Sequence, residues 1–250
     1  MAKAKVMKEL CNRTENYNRF MQKKIIGVLG GMSPESTANF YQELIKQCRK
    51  QYGAKYDKDF PKIFIYNLPI PNIFAKIKSS EKVLKILVNG AKKLESIGVD
   101  FIVMPCNTAH YFYGDIKKEI SIPFLSITKE TAKKIKSKGF DKVGILATGT
   151  TIVKKVFSED IHKFGIKLIV PQEQDKVTSI IDHILTGEKL EKDKKELIQI
   201  IEKLKNNGAQ AIIIGCTEIS LLLKQKDVDI EVFDTAEVLA ESTIKYTIKN

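Results

Sequence analysis

The chain has 250 residues, of which 43% are hydrophobic and 29% are charged. This composition excludes a disordered or fibrous chain and is typical of a soluble globular protein. Lysine and arginine number 42 against 30 acidic residues, so the net charge is +12. No apolar stretch approaches the length of about 20 residues that a membrane span needs, and we expect a cytoplasmic protein with no membrane partner.

The excess of positive charge rests on lysine, because only Arg13, Arg19 and Arg49 are arginines. Proteins that read nucleic acids usually prefer arginine, whose rigid guanidinium binds base edges and phosphates. The lysines are interspersed with acidic residues along the predicted helices, which favours solvated helix faces over an anionic partner. We therefore expect no nucleic-acid partner. Residues 1–22 are predicted to form a mobile arm, and they lack the apolar core of a secretory signal.

Short apolar runs alternate with longer amphipathic runs from residue 24 to the end of the chain. Ser33 and Pro34 have the residue types of a helix N-cap and a first helical position. In the first half the pattern predicts strands over 24–31, 62–69, 100–106 and 124–127, and helices over 34–50, 80–97, 108–120 and 128–138. In the second half it predicts strands over 142–148, 167–171, 211–216 and 228–234, and helices over 151–163, 175–186, 190–206 and 235–248, with a further helix start directly after the strand over 211–216.

The predicted strands are continuous runs of Ile, Val, Leu and Phe rather than alternating patterns. Such strands are buried on both faces, as in parallel sheets covered by helices, so the sequence predicts an α/β fold. Two pairs of segments also repeat, because IIGVLGGMSPEST resembles KVGILATGTTIVK and FIVMPCNTAH resembles AIIIGCTEIS. We expect two similar α/β domains, the first over residues 23–127 with the C-terminal helix over 234–250, and the second over 128–233.

Ligands of open parallel sheets bind at the carboxyl ends of the strands. Four such ends, at residues 30–33, 105–108, 148–151 and 215–218, are rich in small and hydroxyl side chains and lead into predicted helices. Free N–H groups at helix N-termini favour a bound carboxylate or phosphate. None of the four matches a known phosphate-binding loop, so nucleotide binding is only weakly indicated.

Two of the four cysteines, Cys106 and Cys216, lie at these strand ends. The chain has no CxxC pair and only three histidines, so we expect neither a disulfide framework nor a metal site. A lone cysteine in such a place is usually inert core packing. A matched pair is instead suited to remove a proton from one face of a carbon and return one to the other, without metal or pyridoxal phosphate. The helix dipole is expected to lower the pKa of both thiols.

Three segments, GVLGGMSPEST, MPCNTAH and IIIGCTEI, resemble the aspartate/glutamate racemase superfamily, and in particular its aspartate racemase family. The resemblance extends over about residues 24–249, which is nearly everything but the arm. It implies two pseudo-symmetric α/β domains, an active site in the cleft between them, an amino-acid substrate, no cofactor and frequently a homodimer. It also implies that Cys106 and Cys216 are the catalytic acid and base.

The resemblance assigns substrate-binding positions as well. It implies that Asn107 and Thr108 hold the substrate carboxylate and that Glu218 takes the ammonium group. His110, one helical turn after Cys106, is either a packing histidine or one that tunes the thiol. The expected substrate-binding residues are Met32, Ser33, Asn107, Thr108, Thr148, Thr151, Thr217 and Glu218.

One position departs from the aspartate-specific members, which carry a Pro-Asp-Arg-Thr segment whose arginine grips the side-chain carboxylate of the substrate. Residues 71–74 here read Pro-Asn-Ile-Phe, with Ile73 at the arginine position. Either lysines or helix N-termini bind a second carboxylate, or the substrate lacks one. Aspartate and glutamate are the default substrates of this interpretation.

Other functions remain open at this point. A hydantoin racemase, a maleate-type isomerase or a decarboxylase of the same superfamily could use a related site, although a decarboxylase needs only one proton donor. A non-catalytic protein that binds a small anionic metabolite could use the same helix starts. Rapid alkylation of both cysteines near neutral pH, with protection by substrate, would favour catalysis over binding alone.

Overall fold

The structure is a computed structural model that describes residues 23–71, 80–188 and 190–248. The predicted arm and Ile73 lie outside the described residues. In the described part of the chain, eight strands form two parallel sheets of four strands each, with helices on their faces. The α/β fold that the apolar runs predict is therefore confirmed.

The first sheet has the strand order β2-β1-β3-β4, and every neighbouring pair is parallel. Its strands are β1 (Ile26–Gly30), β2 (Ile63–Asn67), β3 (Phe101–Val103) and β4 (Phe124–Leu125), and its helices are α1 (Pro34–Tyr52), α2 (Ser80–Ser96) and α3 (Tyr113–Lys118). Phe40 and Leu44 of α1 are buried with β1 on one face. Leu87 and Leu94 of α2 are buried on the other, so apolar side chains cover both faces of the central strand.

The second sheet repeats this order as β6-β5-β7-β8, again with parallel neighbours only. Its strands are β5 (Lys142–Leu146), β6 (Lys167–Ile169), β7 (Ala211–Ile214) and β8 (Glu231–Asp234). The helices around it are α4 (Ile127–Ser137), α5 (Gly149–Val153), α6 (Ser158–Lys163), α7 (Gln174–Leu185) and α8 (Glu191–Asn206). The equal strand order agrees with the repeat of the sequence motifs, because β1 corresponds to β5 and β3 to β7.

The last helix, α9 (Thr235–Thr247), follows β8 and packs against both α1, beside the first sheet, and α4, beside the second. Leu239 and Ile244 join the core that contains Phe40, whereas Val238 joins a core of the second sheet. Helix α9 therefore connects the two halves. The domain boundaries expected from the sequence stay a prediction.

Two predicted helices are divided in the structure. The segment predicted as one helix over 108–120 is a 3₁₀ helix, Thr108–Phe112, followed by the six-residue α3. The segment predicted over 151–163 contains α5 and α6, separated at Lys155, whose φ is +54°. The run Thr150–Val153 consists of β-branched residues with low helix propensity, which explains why α5 is short. Strand β3 ends earlier than predicted, and Pro105 has no N–H with which to continue the ladder.

The helices carry polar residues on their outer faces, as helices that flank a sheet do. Among the described residues, no helix is both long enough and apolar enough to cross a membrane.

Candidate active site

The turn from β1 into α1 places Ser33 at the carboxyl end of the central strand. Gly31 has a φ of +93°, and a side chain there would lie 2.4 Å from the carbonyl oxygen of Leu68, so only glycine fits. Ser33 caps α1 by accepting a hydrogen bond from the N–H of Ser36 at 3.3 Å. The cap and the proline at the start of α1 agree with the sequence prediction. Met32 is buried in the same core as Cys106.

The turn after β3 carries Cys106, of which 2% is exposed. His110 braces this turn, because its Nδ1 lies 2.7 Å from the carbonyl oxygen of Cys106 and its Nε2 accepts the N–H of Ile127 at 3.0 Å. Since the carbonyl can only accept, Nδ1 carries the proton. Burial lowers the pKa of His110 to about 4, so the ring is neutral at pH 7. His110 therefore holds the backbone of Cys106 against α4, rather than touching the thiol through a hydrogen bond.

The turn after β7 carries Cys216 and Glu218, which are buried together. The thiol of Cys216 donates to Oε2 of Glu218 at 2.9 Å, and the hydroxyl of Thr217 lies 3.3 Å from the same oxygen. From the opposite half, Ser36 donates its hydroxyl to Oε1 at 3.0 Å and the N–H of Ser33 donates at 3.4 Å. Both carboxylate oxygens of Glu218 are therefore engaged by the protein itself.

This arrangement changes one expectation from the sequence and adds one residue to the site. The N-terminus of α1, expected to bind a ligand carboxylate, holds the Glu218 carboxylate instead. Ser36 was not among the predicted site residues. It lies one helical turn before Phe40, on the buried face of α1, and a serine in line with Phe40 and Leu44 was the signal that could have identified it.

The thiol pKa values are raised rather than lowered, so that prediction was wrong. Burial raises the pKa of Cys106 to about 12; the Glu218 carboxylate adds to this, and the backbone N–H groups of Ala109 and Thr108 oppose it. Burial also raises the pKa of Cys216 well above its ordinary value, with further increases from Glu218 and from Cys106. The turns after both cysteines are 3₁₀ helices, so no long α-helix dipole lies behind either thiol.

Three threonines connect the halves at a second place. The hydroxyl of Thr108 lies 3.1 Å from that of Thr148 and 3.0 Å from that of Thr151, and the last two are 2.9 Å apart. Thr148 also caps α5 by accepting the N–H of Thr151 at 3.1 Å. All three side chains are buried. The cluster can reorient its three hydroxyl protons toward an anion, which suits a substrate carboxylate.

A third connection joins Asn107 to the start of α9. Its amide nitrogen donates to the hydroxyl of Thr235 at 2.9 Å, and that hydroxyl donates to the carbonyl oxygen of Ile214 at 2.8 Å. The amide oxygen of Asn107 is buried and has no hydrogen-bond partner among the described residues. Because buried acceptors are normally hydrogen-bonded, this oxygen is a candidate acceptor for a ligand.

The structure brings the predicted residues of the two halves together at the carboxyl ends of the two sheets. It links Ser33 with Glu218, Thr108 with Thr148 and Thr151, and the two cysteines through their electrostatic interaction. Within the described residues, no group of three or more His, Cys, Asp or Glu side chains is placed to hold a metal ion. Two buried thiols, one buried carboxylate and a hydroxyl cluster can move a proton and hold a carboxylate.

Comparison with known proteins places the chain among racemases. Residues 29–243 match the sequence profile of a family described as Asp/Glu/Hydantoin racemase. The broad-specificity amino-acid racemase RacX of Bacillus subtilis is 33% identical over 221 residues, which cover 88% of this chain and 96% of the relative. A glutamate racemase of Aquifex pyrophilus is 28% identical over 174 residues, 66% of each chain.

Solved structures agree with the sequence comparison. An aspartate racemase homologue from Pyrococcus horikoshii has a TM-score of 0.77 at 33% identity, covering 90% of this chain and 100% of that one. The aspartate racemase of Picrophilus torridus has a TM-score of 0.73 at 32% identity, covering 91% and 95%. A glutamate racemase of Francisella tularensis, at 20% identity and a TM-score of 0.64 over 92% of this chain and 84% of that one, shares the fold.

Proposed function

The chain belongs to the Asp/Glu/Hydantoin racemase family and is an amino-acid racemase, hence an isomerase; we propose that Cys106 and Cys216 exchange the Cα proton of its substrate. The observation that supports this role is the placement of one buried thiol from each half beside a shared carboxylate, Glu218. One thiolate removes the Cα proton as a general base. The other thiol delivers its own proton to the opposite face, and the roles exchange for the other enantiomer.

Because the pKa values of both thiols are raised, substrate binding has to supply an interaction that favours a thiolate. Neither thiol ionises readily in the free site, because both are buried beside a carboxylate. The ammonium group of a bound amino acid places a positive charge next to them, which favours a thiolate by the same electrostatic rule. In this proposal, Glu218 accepts the proton of Cys216 when that cysteine has to act as the base, since the two groups share a hydrogen bond of 2.9 Å.

The substrate carboxylate is placed at the cluster formed by Thr108, Thr148 and Thr151. As the Cα proton leaves, this carboxylate gains enolate character, and hydroxyl groups pointing at it stabilise the added charge. The amide oxygen of Asn107 is the available acceptor for the ammonium group. Asn107, expected from the sequence to hold the substrate carboxylate as a donor, accepts from the ammonium group in this proposal. Glu218, expected to take the ammonium group, is then free to interact with the thiol of Cys216.

Aspartate and glutamate are the default substrates, and broad specificity is a second candidate. The N-terminus of α1 already holds the Glu218 carboxylate, so it offers no free anion site for a side-chain carboxylate. Among the described residues, no lysine or arginine hydrogen-bonds to Glu218, Asn107 or the threonine cluster. These observations support broad specificity, in which substrates without an acidic side chain are also accepted. The similarity to a broad-specificity relative agrees with this.

Chiral chromatography of a mixture of all proteinogenic L-amino acids, incubated with the purified protein in D2O, tests the proposal. We expect inverted product with deuterium at Cα and no change when pyridoxal phosphate is added or removed. Conversion of aspartate and glutamate alone supports the default specificity, and conversion of neutral or basic amino acids supports the broad one. A protein that binds amino acids without inverting any of them is a binding protein, and the proposed function is then wrong.

A further inference from the structure

Thr235 lies between the turn that carries Cys106 and the turn that carries Cys216. It is the first residue of α9, and its side chain is completely buried. Its hydroxyl accepts from the amide nitrogen of Asn107 at 2.9 Å and donates to the carbonyl oxygen of Ile214 at 2.8 Å. Asn107 directly follows Cys106, and Ile214 lies two residues before Cys216. One hydroxyl group therefore connects the turns that carry the two thiols.

The direction of both hydrogen bonds is fixed by their chemistry. A carbonyl oxygen only accepts, so the single hydroxyl proton of Thr235 is committed to Ile214. The oxygen of the hydroxyl can then only accept from Asn107, which has to present its NH2 group. The amide of Asn107 is held in one orientation, and its oxygen stays buried without a partner among the described residues. The same hydroxyl thus determines which atom of Asn107 remains for the substrate.

We propose that Thr235 is a positioning residue for racemisation, which sets the distance between the turns of Cys106 and Cys216 and the orientation of the Asn107 amide. The inference rests on the proposed function, because it concerns the two thiols that exchange the proton. A two-sided proton transfer depends on both thiols reaching one carbon, and a displacement of about 1 Å in such a site can cost about 10²-fold in rate. The loss of one bridging hydroxyl therefore affects inversion more than it affects the fold.

Thr235→Val and Thr235→Ser form the matched pair for a test. Valine keeps the shape of threonine but removes the hydroxyl, whereas serine keeps the hydroxyl and removes a methyl group. Thr243→Val is the control for stability, because Thr243 lies in the same helix, is equally buried and donates its hydroxyl to a carbonyl, that of Leu239, at 2.7 Å. Among the described residues, the Thr243 hydroxyl donates to Leu239 and not to the turns of Cys106 and Cys216, so its loss reports the cost of a missing buried hydrogen bond alone.

Each variant is incubated in D2O with one L-amino acid that the wild type inverts, at varied concentration, and kcat, KM and deuterium at Cα are measured together with the thermal midpoint. We expect Thr235→Val to lower kcat at least about tenfold. We also expect it to raise the ratio of deuterium in the recovered L-enantiomer to deuterium in the inverted product. A carbanion that the opposite thiol does not reach persists until the thiol that removed the proton has exchanged it with D2O, and it then takes a deuteron on its original face. Thr235→Ser should restore both values towards those of the wild type.

The outcomes separate this inference from the proposed function. A wild-type protein that inverts no amino acid overturns the proposed function, and this inference with it. If the wild type is active but Thr235→Val has the kcat and deuterium ratio of Thr243→Val, the bridging hydroxyl has no positioning role. If Thr235→Ser is as impaired as Thr235→Val, the methyl group rather than the hydroxyl matters, and the inference is equally wrong.

Discussion

The Glu218 carboxylate accepts a hydrogen bond from the thiol of Cys216 at 2.9 Å, and Ser36, from the opposite half of the molecule, donates its hydroxyl to the second carboxylate oxygen. Cys106 has no side-chain partner of this kind in the part of the chain that the structure describes; backbone N–H groups of Ala109 and Thr108 favour its thiolate instead. The two thiols of the proposed pair are therefore chemically unequal. Glu218 acts on Cys216 directly and on Cys106 only through its charge.

Glu218→Gln removes that charge while keeping the size of the side chain. A neighbouring negative charge raises the pKa of a thiol, so its removal should lower the pKa of Cys216. Mass spectrometry of iodoacetamide-treated protein should show that alkylation of Cys216 begins at lower pH in the variant. Racemisation should nevertheless slow by at least about tenfold, because the group that receives the Cys216 proton is lost.

Glu196→Gln is the control for this change, since Glu196 forms a surface ion pair with Lys176. Such pairs contribute little, so the control should behave as the wild type in both measurements. An unchanged pH dependence of Cys216 alkylation in Glu218→Gln would contradict the electrostatic coupling of the two groups.

Cys106→Ala and Cys216→Ala should each lower racemisation by at least about 10²-fold, because one side of the proton transfer is missing. Chiral chromatography of the reaction mixture measures the loss. Cys48→Ala is the matched control, because Cys48 is also a buried cysteine but lies in α1, among the core residues Phe40 and Leu44. Its removal should cost some stability and leave the rate unchanged. Full activity of either catalytic-site variant would rule out the two-thiol mechanism.

The sequence predicted the fold well because its signals are local. Continuous apolar runs identified the parallel strands, and Ser33 with Pro34 identified the start of α1. The repeat of strand, small residues and cysteine pointed to two similar halves, and both sheets have the same strand order. These features depend on residues that are close together along the chain.

The environment of the thiols depends on contacts that no local pattern contains. Ser36 and Glu218 are 182 residues apart, and only the packing of the two halves brings them together. The expected lowering of the thiol pKa relied on a helix dipole, which contributes at most about 2 kcal/mol, or little more than one pKa unit. Complete burial can shift a pKa by 3 to about 5 units in the opposite direction for an acid, so burial determines the result.

His110 should make the stability of the protein depend on pH below neutrality. Burial lowers its pKa from 6.5 to about 4, so the unfolded chain binds a proton there that the folded protein does not. The stabilising contribution is complete above pH 6.5 and is lost as the pH falls towards 4. When the pH is lowered from 7 to 5, the protonation of this histidine in the unfolded chain should reduce the free energy of unfolding by about 2 kcal/mol.

Urea denaturation at the two pH values, compared between the wild type and His110→Gln, measures this dependence. The variant should be less stable at pH 7, because the bonds to Cys106 and Ile127 are altered. When the pH falls from 7 to 5, the variant should lose about 2 kcal/mol less of its free energy of unfolding than the wild type does. Equal losses in both proteins would show that His110 is not held neutral.

Gly31→Ala should damage the site far more than Gly98→Ala, although both glycines have a positive φ. Gly98, after α2, has a φ of +82° and open space around it. Alanine there should therefore cost only about 1 kcal/mol of stability, for the left-handed backbone conformation. At Gly31 the added carbon would lie 2.4 Å from the carbonyl oxygen of Leu68, so the turn that carries Ser33 has to move. Since Ser33 and Ser36 hold Glu218, Gly31→Ala should lose racemisation as well as stability. Thermal unfolding and chiral assays of the two variants check this, and an active Gly31→Ala protein would show that the turn does not need its present position.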